Sequence, residues 1–324
     1  MRSGLVIGKF MPLHLGHIAL IHFAASQCDE LIVSMTWTHT DVIPGPLRFA
    51  WIQEEFKENP KIKPELSPDD FDDESFPLAE RMPFWADFIR KRFPTINCIY
   101  SSEQYGELLA AQLAIPHVLF DEKRARVPVS GSAIRARPFR YWYLIAGPAR
   151  SFFVKKICFY GPESTGKSSM AKYFASLYNT EFVPEVSREL ISSNDFSVED
   201  IIRIGHAQTD RVLEKLKSAT KYLFCDTDLI TTQIYSRHYL NTIPPILFEL
   251  EKKISYDQYF LFDIDVPWVA DGLRDLGESR LNLYNVFKNE LEIRGITFIQ
   301  AGGSFQEREK RINSVIREIS ERLE

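Results

Sequence analysis

Two stretches of this chain combine residues that handle phosphate. Residues 161–168 read Gly-Pro-Glu-Ser-Thr-Gly-Lys-Ser, which fits the spacing G-x-x-x-x-G-K-[ST] at every position. Gly161 and Gly166 let the backbone fold tightly enough for its N–H groups to converge on an anion. Lys167 adds a mobile positive charge, and Ser168 a hydroxyl suited to Mg²⁺. The loop residues Pro162, Glu163, Ser164 and Thr165, with Ser169 just beyond, complete the expected triphosphate cradle. Nearer the N-terminus, residues 8–17 read Gly-Lys-Phe-Met-Pro-Leu-His-Leu-Gly-His. His14 and His17 flank Gly16 where a strand should hand over to a helix, so their imidazoles can donate to phosphoryl oxygens at the positive end of a helix dipole. Gly8, Lys9 and Phe10 open that loop.

The elements that must position these residues are legible on both sides. An apolar run at 154–160 precedes the first glycine of the later loop, and helical spacing over 169–178 follows it. The earlier loop follows a strand at 5–7 and precedes a helix from 18 to about 27. Further strands are expected at 30–35, 98–100 and 117–120, then at 180–183, 221–226, 258–264 and 296–299. Counting strands with helices between them gives two parallel-sheet units, and the later loop starts the second. Residues 60–77, with an acidic run at 69–74, read as a solvated loop. Residues 137–148 carry prolines and aromatics, as a packed linker would. The last helix opens on Ser304-Phe305-Gln306-Glu307, a capping box.

Other positions gain meaning from where they fall. Ser130, Ser132 and Arg135 lie just after the strand ending at Asp121, where small hydroxyls leave N–H groups open and an arginine can meet charge growing on a leaving pyrophosphate. Glu185 and Arg188 follow the strand at 180–183: Glu185 is a candidate base or ribose ligand, and Arg188 a phosphate clamp. Asp226 ends an apolar strand, as a carboxylate held toward Mg²⁺ would, with Asp228 close behind. Residues 265–274 carry Trp268, Asp271 and Arg274, and Arg280 follows; two arginines in a Gly-containing segment resemble a lid that closes on a triphosphate. Gln208 falls on a long amphipathic helix at about 197–217, where a solvated face is the expectation.

The chain has 324 residues, 45% of them hydrophobic, enough for two cores at roughly 150 residues per domain. A net charge of −5 argues against a broad basic surface for nucleic acid. No run is long and apolar enough to span a membrane, and the N-terminus enters a strand with no signal-peptide pattern, so a cytoplasmic location is expected. Cys28, Cys98, Cys158 and Cys225 form no C-x-x-C pair, and a buried reduced thiol is the expected state of the last two.

Residues 8–17 fill every fixed position of the G-x-F-x-P-x-H-x-G-H signature of the nucleotidyltransferase superfamily, and residues 130–135 match its S-x-[ST]-x-x-R segment. Followed by a Walker-A nucleoside kinase half, the chain resembles the NadR-type bifunctional nicotinamide-nucleotide adenylyltransferase and ribosylnicotinamide kinase over nearly its whole length. The resemblance implies an α/β chain of two parallel-sheet domains: a Rossmann-like nucleotidyltransferase fold over 1–145 and a P-loop kinase fold over 150–324. It implies ATP, nicotinamide riboside and nicotinamide mononucleotide as small-molecule substrates, with Mg²⁺ as cofactor. Trp37, Trp85 and Trp268 become candidates to stack on the cationic nicotinamide ring. The helix-turn-helix of some members is not expected here, since the first strand begins at about residue 4. Two other readings stay open: an adenylyltransferase for another small phosphate acceptor fused to a different nucleoside kinase, and a nucleotide-sensing regulator with one inactive site. Oligomeric state, a homo-oligomer included, and the choice between Glu185 and Asp226 as kinase base are left open by the sequence.

Overall fold

The computed structural model describes residues 2–193, 195–269 and 279–324. The chain divides into two compact units, residues 1–150 with 323–324, and residues 151–322. In the first, the order is β1 (Ser3–Gly8), α1 (Leu15–Ser26), β2 (Glu30–Trp37), α2 (Gly45–Phe56), β3 (Ile62–Pro68), α3 (Leu78–Arg92), β4 (Cys98–Ser101), α4 (Tyr105–Leu113), β5 (His117–Leu119) and α5 (Gly131–Ala136), closed by a short helix α6 (Gly147–Arg150). Its sheet runs β3-β2-β1-β4-β5, every pairing parallel.

A five-stranded sheet needs one strand more than the four expected in this half. The fifth is β3, within the stretch taken for a solvated loop. Pro64 and Pro68 cannot donate to a ladder, but β3 lies at the sheet edge and pairs only with β2, so those missing donors cost little. Ser34 and Ser67 share a buried 2.8 Å hydrogen bond across that pair. The acidic run that follows is only partly solvated: Asp69 is buried, and the Asp72 side chain pairs with Arg81.

The first core forms where Leu5, Ile7, Ile32 and Ile99 of the strands meet Met82, Trp85, Ala86 and Ile89 of α3 and Leu109 and Ala110 of α4. Phe139 and Trp142, in the stretch read as a packed linker, are buried.

The second unit runs β6 (Lys155–Tyr160), α7 (Lys167–Leu177), β7 (Glu181–Val183), α8 (Ser187–Leu190), α9 (Val198–Ser218), β8 (Tyr222–Asp226), α10 (Leu229–Leu240), α11 (Ile246–Glu251), β9 (Gln258–Phe262), α12 (Arg280–Ile293), β10 (Phe298–Ala301) and α13 (Phe305–Leu323). Its five expected strands are all present, parallel, in the order β10-β9-β6-β8-β7. Phe159, fully buried on the central strand, meets Phe174, Phe224, Phe260 and Phe262 at ring separations of 5.4–6.0 Å. Cys158 and Cys225 pair in register on β6 and β8, and all four cysteines are buried free thiols. The Ser304–Glu307 capping box opens the last helix as expected. Among the described residues no helix is long and apolar enough to cross a membrane. In both units the phosphate-handling loops leave the C-terminal ends of central strands, where α/β sheets keep their ligands.

Candidate active sites

In the first unit the loop from β1 to α1 is organised by His14. It is the N-cap of α1, and its Nδ1 accepts hydrogen bonds from the N–H of Gly16 at 3.1 Å and of His17 at 3.4 Å. Because Nδ1 is an acceptor, the neutral ring carries its proton on Nε2, the nitrogen left to donate. A Cβ on Gly16 would lie 3.0 Å from the His14 ring, so any larger residue would press on that imidazole. The His14 and His17 rings stack at 3.6 Å, and Phe10 meets His17 edge-on at 4.9 Å. Burial lowers the His14 imidazole to about 4, with Arg124 adding to the effect. Burial, then His14 and Arg124, lower His17 further from its ordinary value. Two stacked neutral rings suit a hydrogen-bonding role rather than one of fixed charge.

Residues 129–135 close over this loop. Ser130 caps α5 by accepting from Ala133 N–H at 3.2 Å, and its hydroxyl lies 3.1 Å from that of Ser132. The Met11 carbonyl accepts from Arg135 Nη1, and a Cβ on Gly131 would sit 2.5 Å from that same oxygen. The two motifs are therefore in direct contact. Lys9 pairs with Glu74 at 2.8 Å and Asp41 at 3.4 Å; burial opposes its charge, but these carboxylates outweigh it and raise the ammonium above its usual value.

Beneath Lys9 lies Arg48, fully buried, donating to the carbonyls of Ile43, Thr36 and Lys9 and to Asp41. Removing one partner of such a pair costs on the order of 3–5 kcal/mol. Sequence reading passed over Arg48, whose local pattern is that of an ordinary helix. Gly8, Lys9, Phe10, His14, Gly16, His17, Ser130, Ser132 and Arg135 all line one cavity, and Trp85 joins its wall. Trp37 is not among its lining residues: it packs over Gly45, with His39 at its edge.

In the second unit the 161–168 loop takes the conformation its glycines permit, with φ of +134° at Gly161 and +88° at Gly166. A Cβ at Gly161 would also meet the Phe262 carbonyl at 3.0 Å. Lys167 starts α7, and its Nζ donates to the Pro162 carbonyl at 2.7 Å; Thr165 caps the same oxygen at 2.9 Å. Asp226 is 2% exposed, and the neighbouring Ser168 hydroxyl favours its charged form. Burial raises the Asp226 carboxyl to about 6; Lys167 works against this and Glu185 with it. Asp226 Oδ1 is buried and has no hydrogen-bond partner among the described residues. A hard cation needs such an oxygen beside a loop hydroxyl, so Ser168 and Asp226 fit Mg²⁺.

Lys167, Glu163, Glu185 and Arg188 line a second cavity. Its far wall holds Phe196, Tyr235 and Tyr239, which sequence reading did not single out. Tyr235 and Tyr239 stand one turn apart on α10, and the Tyr239 ring lies 6.3 Å from that of Tyr235 and 5.3 Å from that of Phe196. Glu185 and Arg188 form a 3.1 Å ion pair. Gln208 is buried, not solvated: its Oε1 accepts from Val186 N–H at 2.9 Å and its Nε2 donates to the Pro184 carbonyl at 3.3 Å, which fixes the segment carrying Glu185.

Asp228, a candidate substrate ligand, stands outside this cavity's lining. One of its oxygens caps α10 through Thr231, and the other accepts from Tyr259 Oη at 2.9 Å. Trp268 is absent from that lining as well; its Nε1–H donates to Glu163 at 3.1 Å. Arg280 donates to the carbonyls of Ser164 and Val266, against the phosphate loop. Asp271 and Arg274 lie outside the described residues. Arg308 of α13, also missed in the sequence, is buried and donates to the Thr165 carbonyl and to Asp265.

Residues 156–308 match the AAA domain family. The chain is similar to "Trifunctional NAD biosynthesis/regulator protein NadR" of Escherichia coli (strain K12), 34% identical over 92% of this chain and 78% of the relative. The Salmonella typhimurium protein of the same description is 33% identical over 91% and 78%. Among solved structures, a NadR protein in complex with NR superposes with a TM-score of 0.84 at 21% identity, covering 98% of this chain and 95% of that one. A NadR protein in complex with NAD and AMP-PNP gives 0.83 at 21% identity, covering 98% and 96%.

Proposed function

This chain belongs to the NadR family, and from that premise we propose that it makes NAD from nicotinamide riboside in two ATP-dependent steps, one in each unit. The observation that carries the proposal is two separate phosphate sites, each built on its own parallel sheet.

In the second unit the loop 161–168 and Lys167 hold the triphosphate, and Arg280 braces the loop through Ser164. Glu185 faces the cavity and orients the ribose 5′-hydroxyl, while Phe196, Tyr235 and Tyr239 offer faces to the cationic ring. Ser168 and Asp226 would hold Mg²⁺, which would supply positive charge against the charge that develops in phosphoryl transfer.

The product is a phosphomonoester, the nucleophile the first unit requires. There the phosphate attacks the α-phosphorus of ATP and pyrophosphate leaves. That nucleophile is already an anion, so no general base is needed. His14 and His17 donate to phosphoryl oxygens, while Lys9 and Arg135 screen charge and align the attack. The reaction proceeds in the cytoplasm and needs no nucleic-acid partner. Mass spectrometry of products from ATP, Mg²⁺ and a panel of nucleosides tests this reading; nicotinamide riboside should yield NAD, and phosphorylation of uridine or cytidine in its place would count against it.

His14→Asn separates capping from chemistry, because asparagine is a good N-cap but lacks Nε2. The variant should keep its melting temperature at pH 7 and lose adenylyl transfer by about 10²-fold. It should also flatten the acid side of the stability curve. An unfolded imidazole takes up a proton near pH 6.5, whereas His14 in the fold resists down to about 4. The unfolded chain thus binds more protons over that interval, and stability falls as pH drops through it. Thermal melts from pH 7 to 4 on both proteins measure the difference.

A further inference from the structure

Thr227 directly follows β8, and its backbone lies in the left-handed region at φ +79°. A β-branched residue is strained there, where a glycine would not be. Its N–H donates to the Phe159 carbonyl at 2.9 Å, which ties it to β6, the strand that runs into the phosphate loop. The side chain is 3% exposed, yet it lines the cavity of the second unit together with Lys167, Glu163 and Glu185. Its Oγ1 is buried and has no hydrogen-bond partner among the described residues. A strained backbone and an unmatched buried hydroxyl are each costly, and here one residue carries both at the wall of a ligand cavity.

The surroundings say what the hydroxyl meets. Glu163 and Glu185 in the wall, and Asp226 next in the chain, present acceptors, so a ribose hydroxyl already has carboxylates to donate to. A phosphoryl oxygen needs donors, which ionised carboxylates cannot supply. Lys167 is one such donor, and the Thr227 hydroxyl is a second, neutral one, tied by its backbone to the strand that carries the phosphate loop.

We propose that Thr227 is a catalytic residue of the kinase step, its Oγ1–H donating to an oxygen of the phosphoryl group as that group passes from ATP to the nucleoside. The bond from phosphorus to the ADP oxygen breaks, the bond to the ribose 5′-oxygen forms, and the 5′-hydroxyl proton leaves toward Glu185. The Thr227 proton stays on Oγ1, and Thr227 forms no covalent bond. The inference rests on the reading that the second unit phosphorylates a nucleoside. A donor already fixed where charge shifts during transfer lowers the barrier without reorganising first, and the strained turn after β8 is what fixes this one.

The test measures nicotinamide riboside phosphorylation and thermal melting in the full-length protein and in Thr227→Gly, Thr227→Ala and Thr227→Ser. Thr227→Gly should lower kcat by about 10²-fold, with KM for ATP and for the nucleoside within about threefold of wild type. Its melting temperature should be no lower than wild type, since glycine relieves the strain. Thr227→Ala removes the hydroxyl while keeping Cβ, and supplies the same kinetic comparison if the glycine variant does not fold. Thr227→Ser restores the hydroxyl and should recover kcat to within about fivefold of wild type. A kcat within about threefold of wild type without the hydroxyl, a loss confined to KM, or a serine variant as impaired as the alanine one would overturn the proposal. So would a loss of kcat that comes with a lower melting temperature in the glycine and alanine variants alike, which would make the residue structural. A wild type that phosphorylates no nucleoside would instead overturn the reading beneath it.

Discussion

Lys167→Met should lower nicotinamide riboside phosphorylation by at least about 10²–10³-fold and leave adenylyl transfer within about twofold of wild type. Lys167 is 9% exposed at the start of α7, within the field of Asp226 and bonded to the Pro162 carbonyl. Its ammonium is poised to leave that carbonyl for a phosphoryl oxygen, and methionine keeps the volume without the charge. His17→Ala should show the reverse pattern, because the His14–His17 stack belongs to the other cavity. Coupled assays for ADP and for pyrophosphate, run on both variants, read the two activities separately. Loss of both activities in either folded variant would contradict the two-site account.

Asp226→Asn and Glu185→Gln should both cut the kinase step by about 10²-fold or more, but in different ways. Asp226 is deeply buried beside Ser168 with an unmatched oxygen, so its replacement should raise the Mg²⁺ concentration needed for half-maximal activity. Glu185 sits at the cavity wall on a segment fixed by Gln208, so its replacement should lower kcat for the nucleoside with the Mg²⁺ requirement unchanged. A Mg²⁺ titration of each variant separates the roles that the sequence left open. A matching shift in both would assign both carboxylates to the cation.

Residues 8–17 and 161–168 were legible because their chemistry is local: glycine conformation, a strand before and a helix after are written within a dozen residues. The five strands of the second unit were legible for the same reason, each an apolar run of ordinary length. β3 was not, because its prolines and charges are the mark of an edge, and edges imitate loops. Asp228 looked like a ligand from its place after a strand, but that place also suits a helix cap, and the Tyr259 hydroxyl that occupies its other oxygen lies 31 residues away. Arg48, Arg308 and the aromatic wall of Phe196, Tyr235 and Tyr239 depend on contacts between distant segments, which spacing alone does not encode. The bond from Trp268 to Glu163 of the phosphate loop was illegible for the same reason, since 105 residues separate the two.

The central claim is that a single chain carries nicotinamide riboside to NAD. Incubating the purified protein with nicotinamide riboside, ATP and Mg²⁺, with NAD followed by alcohol dehydrogenase-coupled absorbance and nucleotides by chromatography, tests it directly. The account predicts that each NAD formed is accompanied by one ADP and one pyrophosphate. Mononucleotide accumulating without NAD would contradict the assignment of the first unit, and the absence of either product would contradict both.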